Sequence, residues 1–276
     1  MNWKIITAIA KKDWKEVRQN SSAWVPMLII PLIFVVIFPL AMILVPTQVP
    51  GAADQMFNDP DMAGFFQRLP PQMAQAVVGL NPIQSGLVML LGYLFAPFFL
   101  IIPLMFTTVI ASESFAGEYE RKTIESLLYT PATDTELFLG KILAAVLPAI
   151  AITLGSFALY CLVVNGAAYP VMGRIWFPLA SWFPLIFWIS PAISLAAVSA
   201  TVLISARVKT FMGTYQASAS TVLLVLALLV GQVSGVLYLS VGVGMVIGAV
   251  IWIAGAALTY YAVRTFNRQS LLASAA

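Results

Sequence analysis

Apolar positions along the chain collect into six runs, each separated from the next by a polar or glycine- and proline-rich connection. The runs are roughly Trp24–Val45, Gly86–Ala111, Leu137–Val164, Trp182–Ala206, Thr214–Val233 and Leu239–Val263. A helix needs about 20 apolar residues to cross a hydrocarbon core, where each backbone polar group must be paired within the segment. The last two runs form one nearly unbroken stretch. It divides at Gly231-Gln-Val-Ser-Gly235, where glycine and polar residues permit a turn. The pattern predicts an all-α, polytopic membrane protein with six transmembrane helices, organised as a single membrane domain over residues 1–276.

Residues 2–20 follow a different rule. At 100° per residue, Trp3, Ile6, Ala10, Trp14 and Val17 share a narrow stripe, and Lys4, Lys11, Lys15 and Arg18 lie opposite. This predicts an N-terminal amphipathic helix in the headgroup plane, with membrane lipid as its partner: tryptophans at the interface, lysines toward anionic lipid. The first run is about twice the length of a signal-peptide core and is read as an uncleaved span. The connection 46–85 is rich in proline and small residues. Phe65, Phe66, Leu69, Met73 and Val77 recur there at helical spacing, predicting a short surface helix. Its acids Asp54, Asp59 and Asp61 lack the framework of a calcium loop and are read as solvated.

The connection between the second and third runs, 112–136, is different in kind. It holds six of the eleven acids: Glu113, Glu118, Glu120, Glu125, Asp134 and Glu136. Glu118 and Lys122, then Arg121 and Glu125, stand four residues apart, which supports a local helix. Ile124, Leu127 and Leu128 give that helix an apolar edge, and Tyr129-Thr-Pro131 ends it. Thr133-Asp-Thr-Glu136 then reads as a capping box that opens the third span. A bare turn would need only a few residues. The ordered, charged length predicts a docking surface.

Composition and charge sharpen this picture. The chain is 61% hydrophobic and 9% charged, against about 25% charged in soluble domains. The net charge of +3 is spread along the sequence, so no nucleic-acid footprint is present. Twelve of the fourteen basic residues lie in alternate connections: Lys4, Lys11, Lys12, Lys15 and Arg18; Arg121, Lys122 and Lys141; Arg207 and Lys209; Arg264 and Arg268. Only Arg68 and Arg174 lie on the other side. By the positive-inside rule both termini are expected in the cytoplasm.

Candidate chemistry is sparse. Cys161 is the one cysteine and histidine is absent, so no internal disulfide or Cys/His zinc site exists, and no metal site is predicted. Cys161 reads as a small buried hydrophobe. No phosphate-cradling loop is present: Gly140-Lys141 is followed by isoleucine, with Thr135 where the first glycine belongs. No catalytic residue is assigned. The span interiors carry no ionisable residue, which argues against a carrier that couples through intramembrane charge. An ion-coupled secondary carrier or sodium-exporting permease remains the alternative, with sodium held by carbonyls and hydroxyls at broken helices. Thr107, Thr108, Thr153, Ser156, Tyr160, Asn165, Ser190, Ser194, Ser199, Gln216 and Gln232 are read mainly as contacts between helices, as are the Gly231/Gly235 and Gly244/Gly248 pairs. No substrate path is legible.

The string Glu118-Tyr-Glu-Arg-Lys-Thr-Ile-Glu-Ser-Leu-Leu-Tyr-Thr-Pro131, followed by Glu136-Leu-Phe-Leu-Gly-Lys141, resembles the signature of the type-2 ABC-transporter permeases, the membrane subunits of bacterial and archaeal exporters. Ile204-Ser-Ala-Arg-Val-Lys-Thr-Phe-Met212 resembles the short link those proteins carry between spans four and five. One departure is Lys122, where many members have glycine.

The resemblance implies a permease that moves an apolar or amphipathic substrate out of the cytoplasm, in the plasma membrane of a bacterium or archaeon. Energy would come from two copies of a separate ABC ATPase subunit, with ATP and magnesium bound there and no cofactor on this chain. A second permease chain, identical or related, would complete the transporter. A coupling helix between helices 2 and 3 would meet the ATPase through Glu118, Glu120, Arg121, Lys122, Thr123, Glu125, Leu127 and Leu128. Arg207 and Lys209 would form a secondary contact on the cytoplasmic side.

Overall fold

A computed structural model describes residues 2–52, 71–123, 132–234 and 236–265. Among these the chain is helical without a strand, and six helices are long and apolar enough to cross a membrane. The amphipathic helix is α1 (Trp3–Gln19), with the Asn2 side chain accepting from the Lys4 amide at its start. The six spans are α2 (Met27–Gln48), α4 (Ala96–Glu120), α5 (Asp134–Met172), α6 (Trp182–Ser205), α7 (Phe211–Val233) and α8 (Val241–Arg264). A shorter apolar helix, α3 (Pro82–Leu94), precedes α4.

Spans α4 and α6 form the centre, and α2, α7 and α8 are the least enclosed. Helix α5 packs on α4, α6 and α2, and α8 packs on α6. The outward faces of α7 and α8 are apolar, with Leu223, Val230, Val246 and Ile253 all exposed. Such faces suit lipid or another apolar helix.

Two boundaries differ from the sequence reading, each for a local reason. The second run is two helices, not one. Pro97 lacks an amide proton and sits in the first turn of the new helix, so the chain breaks at Phe95. The freed carbonyls of Leu91, Gly92 and Tyr93 are met from three spans, by Tyr160 Oη (2.9 Å), Trp182 Nε1 (2.7 Å) and Gln232 Nε2 (2.7 Å). The third span runs 39 residues from the Thr133–Glu136 capping box to Gly173, whose φ of 64° ends it. At 1.5 Å per residue that is about 58 Å, well beyond a hydrocarbon core of about 30 Å. The last apolar stretch breaks near the expected turn, between Val233 and Val241.

The hydroxyls inside the spans are mostly not contacts between helices. Thr107, Thr108, Thr153, Ser194 and Ser199 each bond a carbonyl four residues back in their own helix. Ser199 also bridges to Thr259 at 2.7 Å. The glycines do allow close approach: a Cβ on Gly248 would lie 2.2 Å from Trp188 Cδ1, and one on Gly244 would lie 3.1 Å from Pro184 Cβ. In the 46–85 connection, Asp54, Asp59, Asp61, Phe65, Phe66 and Leu69 lie outside the described residues; Pro71–Ala76 is helical, with Met73 buried.

Candidate functional site

The charged residues near the start of α5 and the end of α4 meet α1 in one buried cluster. Helix α1 turns Ile6, Asp13 and Val17 inward and lies against α5. Its approach is close: a Cβ on Gly140 would stand 2.8 Å from Ile9 Cβ and 3.1 Å from the Ile6 carbonyl. The last part of α4 widens into a π-helical turn at Glu113–Gly117, continues helically through Glu118–Glu120, and leaves the helix at Lys122, where φ is +55°. The wider turn sets Glu113, Ser114 and Glu118 among the buried residues.

Lys141, on α5, is the centre. Its Nζ lies 2.7 Å from Glu118 Oε2, 2.5 Å from the Ser114 carbonyl, and 3.3 Å from both Ser114 Oγ and Asp13 Oδ2. The Phe115 ring lies beneath it at 5.2 Å. Ser114 Oγ donates to Asp13 Oδ2 in a short hydrogen bond. The other oxygen of Glu118 takes the Lys12 ammonium at 2.5 Å. Arg121 folds back over Gly117 to a short bond with Glu113 and reaches Glu16 at 3.6 Å. Asn20 Nδ2 donates to the second Glu113 oxygen at 3.0 Å. Glu136 accepts the Asn2 amide at 2.6 Å while closing its own capping box, which ties the start of α1 to the start of α5.

The electrostatics follow from burial and pairing. Asp13, Glu118 and Lys141 are each about 1% exposed, and isolated charges there would be strongly penalised. Each has an opposite charge in contact. Carboxylate oxygens of Asp13, Glu16 and Glu118 lie within 4.8 Å of one another, a spacing able to hold a cation. That place is taken by the chain's own Lys12, whose Nζ stands 2.5, 3.2 and 3.5 Å from Glu118, Glu16 and Asp13. Burial opposes the charge on Lys12, but Glu118, with Asp13 and Glu16, more than offsets it, so its pKa stands above the ordinary lysine value. Burial likewise opposes the Arg121 charge, and Glu113, aided by Glu16 and Glu118, raises its pKa.

The structure separates the sequence-predicted contact residues into groups. Glu118 is buried at the base of the hairpin, with both carboxylate oxygens held by lysines of this chain. Its expected helical pairing with Lys122 is not formed, because the backbone has left the helix there. Glu120, Arg121, Lys122 and Thr123 are exposed. Glu125, Leu127 and Leu128 lie outside the described residues. The link between α6 and α7 meets the hairpin directly: Glu120 Oε2 accepts the Phe211 amide at 2.8 Å, and Lys209 Nζ lies 5.9 Å from the Tyr119 ring centroid. Arg207 is exposed in the same link.

Asp13, Glu16 and Lys12 were invisible to the stripe reading of α1. The available signal was Asp13 itself, an acid three and four residues from Ala10 and Val17 on the apolar side. The face of α1 turned to the protein carries Asp13 together with Ile6 and Val17 of the stripe, and Trp3 is 60% exposed.

A second feature lies within the spans. A cavity of about 340 Å³ opens between α7 and α8 over α4 and α6, lined by Leu104, Ala197, Ala200, Thr221, Leu224 and Ile251 among others. The hydroxyls of Ser220 and Thr221 bond carbonyls of their own segment, at 2.8 and 2.6 Å, so its wall is apolar. Cys161 is partly buried, packed against the core at the edge of another cavity with Asn165 and Tyr169.

Neither a curated protein nor a solved structure matches the chain. The family described as ABC-2 family transporter protein matches residues 7–271, a stretch that takes in all six spans, most of α1 and the whole charged cluster. The chain therefore belongs to the ABC-2 transporter family, as a multi-pass membrane permease of an ABC transporter.

Proposed function

We propose that this permease works with a separate ABC ATPase subunit that docks on the hairpin between α4 and α5. The observation that carries this reading is the exposed turn Glu120–Thr123 standing on a buried ionic base. A contact surface that must transmit force needs such a footing, since a loop free at its base would absorb displacement. The neighbouring Arg207–Phe211 link, bonded to Glu120, supports a joint surface made of both connections. In this reading both termini and the hairpin face the cytoplasm, in keeping with the distribution of basic residues.

ATP binding on two ATPase subunits would draw the hairpins of two permease chains together and shift the spans between inward- and outward-open states. Such a shift requires the ATP-bound ATPase to prefer one state. The exposed apolar faces of the least enclosed spans, α2, α7 and α8, suit a second permease chain. The apolar cavity beside α7 suits an apolar or amphipathic cargo, moved outward.

The test is affinity capture from native membrane. The wild-type chain should retain an ABC ATPase, and Glu120→Ala with Lys122→Ala should lose it while still inserting. These two positions are exposed and leave the Arg121–Glu113 pair intact. An ATPase retained equally by the double variant would refute the docking assignment.

A further inference from the structure

We infer that Lys141 is a positioning residue that makes α1, the end of α4 and the start of α5 one mechanical unit, so that a push on the hairpin moves α5 as a body. This inference rests on the reading of the hairpin as the ATPase contact.

The geometry carries it. Glu118 begins the hairpin and Lys141 lies just beyond its return, and the 2.7 Å bridge between them clamps its two legs together. Lys141 also holds the Ser114 carbonyl, so the clamp reaches the backbone of α4 and not only a side chain. Helix α1 closes the clamp from the side. Asp13 bonds both Ser114 and Lys141, and Lys12 occupies the remaining oxygen of Glu118. Two further ties fix α1 to α5, the Asn2–Glu136 hydrogen bond and the Gly140–Ile9 contact.

The connection to α7 includes the exposed Glu120–Phe211 hydrogen bond and the Lys209 contact with Tyr119, beside packing of the first turns of α7 on α4. Displacement of the hairpin is passed to α5 through the buried charge pairs. Low dielectric strengthens the buried ties relative to the exposed one.

The experiment uses the complex with its captured ATPase in proteoliposomes. Spin labels are placed at Tyr169→Cys on α5 and Val243→Cys on α8, with Cys161→Ala. Both label sites are exposed, and α8, which packs on α6, is the reference. The distance between labels is measured without nucleotide and with ATP and magnesium. The unsubstituted clamp should give a nucleotide-dependent change in distance. Lys141→Met should abolish it while the ATPase stays bound and continues to hydrolyse ATP. An unchanged response in that variant overturns the inference.

A second variant removes dependence on folding of the first. In Ile9→Cys with Gly140→Cys, where the spin labels at 169 and 243 are carried on a ketone-bearing amino acid in place of cysteine, the two Cβ atoms start near 2.8 Å, about 1 Å short of the usual disulfide separation. This disulfide pins α1 to α5. The nucleotide response should survive the pin. A response lost on oxidation and restored by reductant would show that α1 must leave α5, and would overturn the rigid unit. Failure of the wild-type chain to retain any ATPase would remove the parent reading, and the inference with it.

Discussion

At the scale of single residues, the molecule keeps two kinds of charge apart. Lys141 is enclosed, and it is tolerated because its ammonium meets two carboxylates, a carbonyl and a hydroxyl at once. Taking a partner from a buried pair leaves an uncompensated charge and typically costs about 3–5 kcal/mol, whereas an exposed pair contributes about 1 kcal/mol or less. Glu118 and Glu120 stand two positions apart and fall on opposite sides of that divide. Glu118→Gln should lower stability by several kcal/mol, and Glu120→Gln by less than 1 kcal/mol. Thermal unfolding in matched detergent checks this. Equal losses would mean that Glu118 is not held as the structure has it.

At the scale of helices, packing is set by small residues at contact points. Gly248 admits the Trp188 ring, whose Nε1 donates to the Met245 carbonyl at 3.1 Å. Gly248→Leu should push α8 from α6, with an overpacking cost of about 1–3 kcal/mol and faster hydrogen exchange in both helices. Unaltered exchange would show that this contact does not fix the pair. The spans and the Thr133–Glu136 cap were legible in the sequence because apolar length and capping chemistry are local signals. The Gly244/Gly248 spacing was legible for the same reason. The break at Phe95 was harder to place. Pro97 announced that a helix could break, but three distant side chains complete the carbonyls that the break exposes. The buried cluster was legible only in part. Glu113, Glu118 and Lys141 stood near span ends, while Asp13, the partner of Lys141, and Lys12, the partner of Glu118, sat more than a hundred residues away, on a helix whose stripe suggested lipid contact alone. Sequence periodicity gives the apolar face of a helix, not the rotation at which it docks.

At the scale of the whole molecule, charge is concentrated at one end of an apolar bundle. The hairpin base, α1 and the Arg207–Phe211 link share that end. The orientation proposed above puts it in the cytoplasm. A membrane-impermeant thiol reagent should therefore label Ile175→Cys in intact cells, in a Cys161→Ala background, and should reach Arg207→Cys only after permeabilisation. Labelling in the reverse order would invert the topology and separate the hairpin from any cytoplasmic ATPase. The central claim, that the hairpin is where the ATPase docks, is tested most directly by placing a photo-crosslinking amino acid at Thr123, and in parallel at Ile175, in cells that make the ATPase. An adduct with the ATPase from position 123 and none from position 175 is the predicted result; an ATPase that crosslinks elsewhere on the chain but never to the hairpin would contradict it.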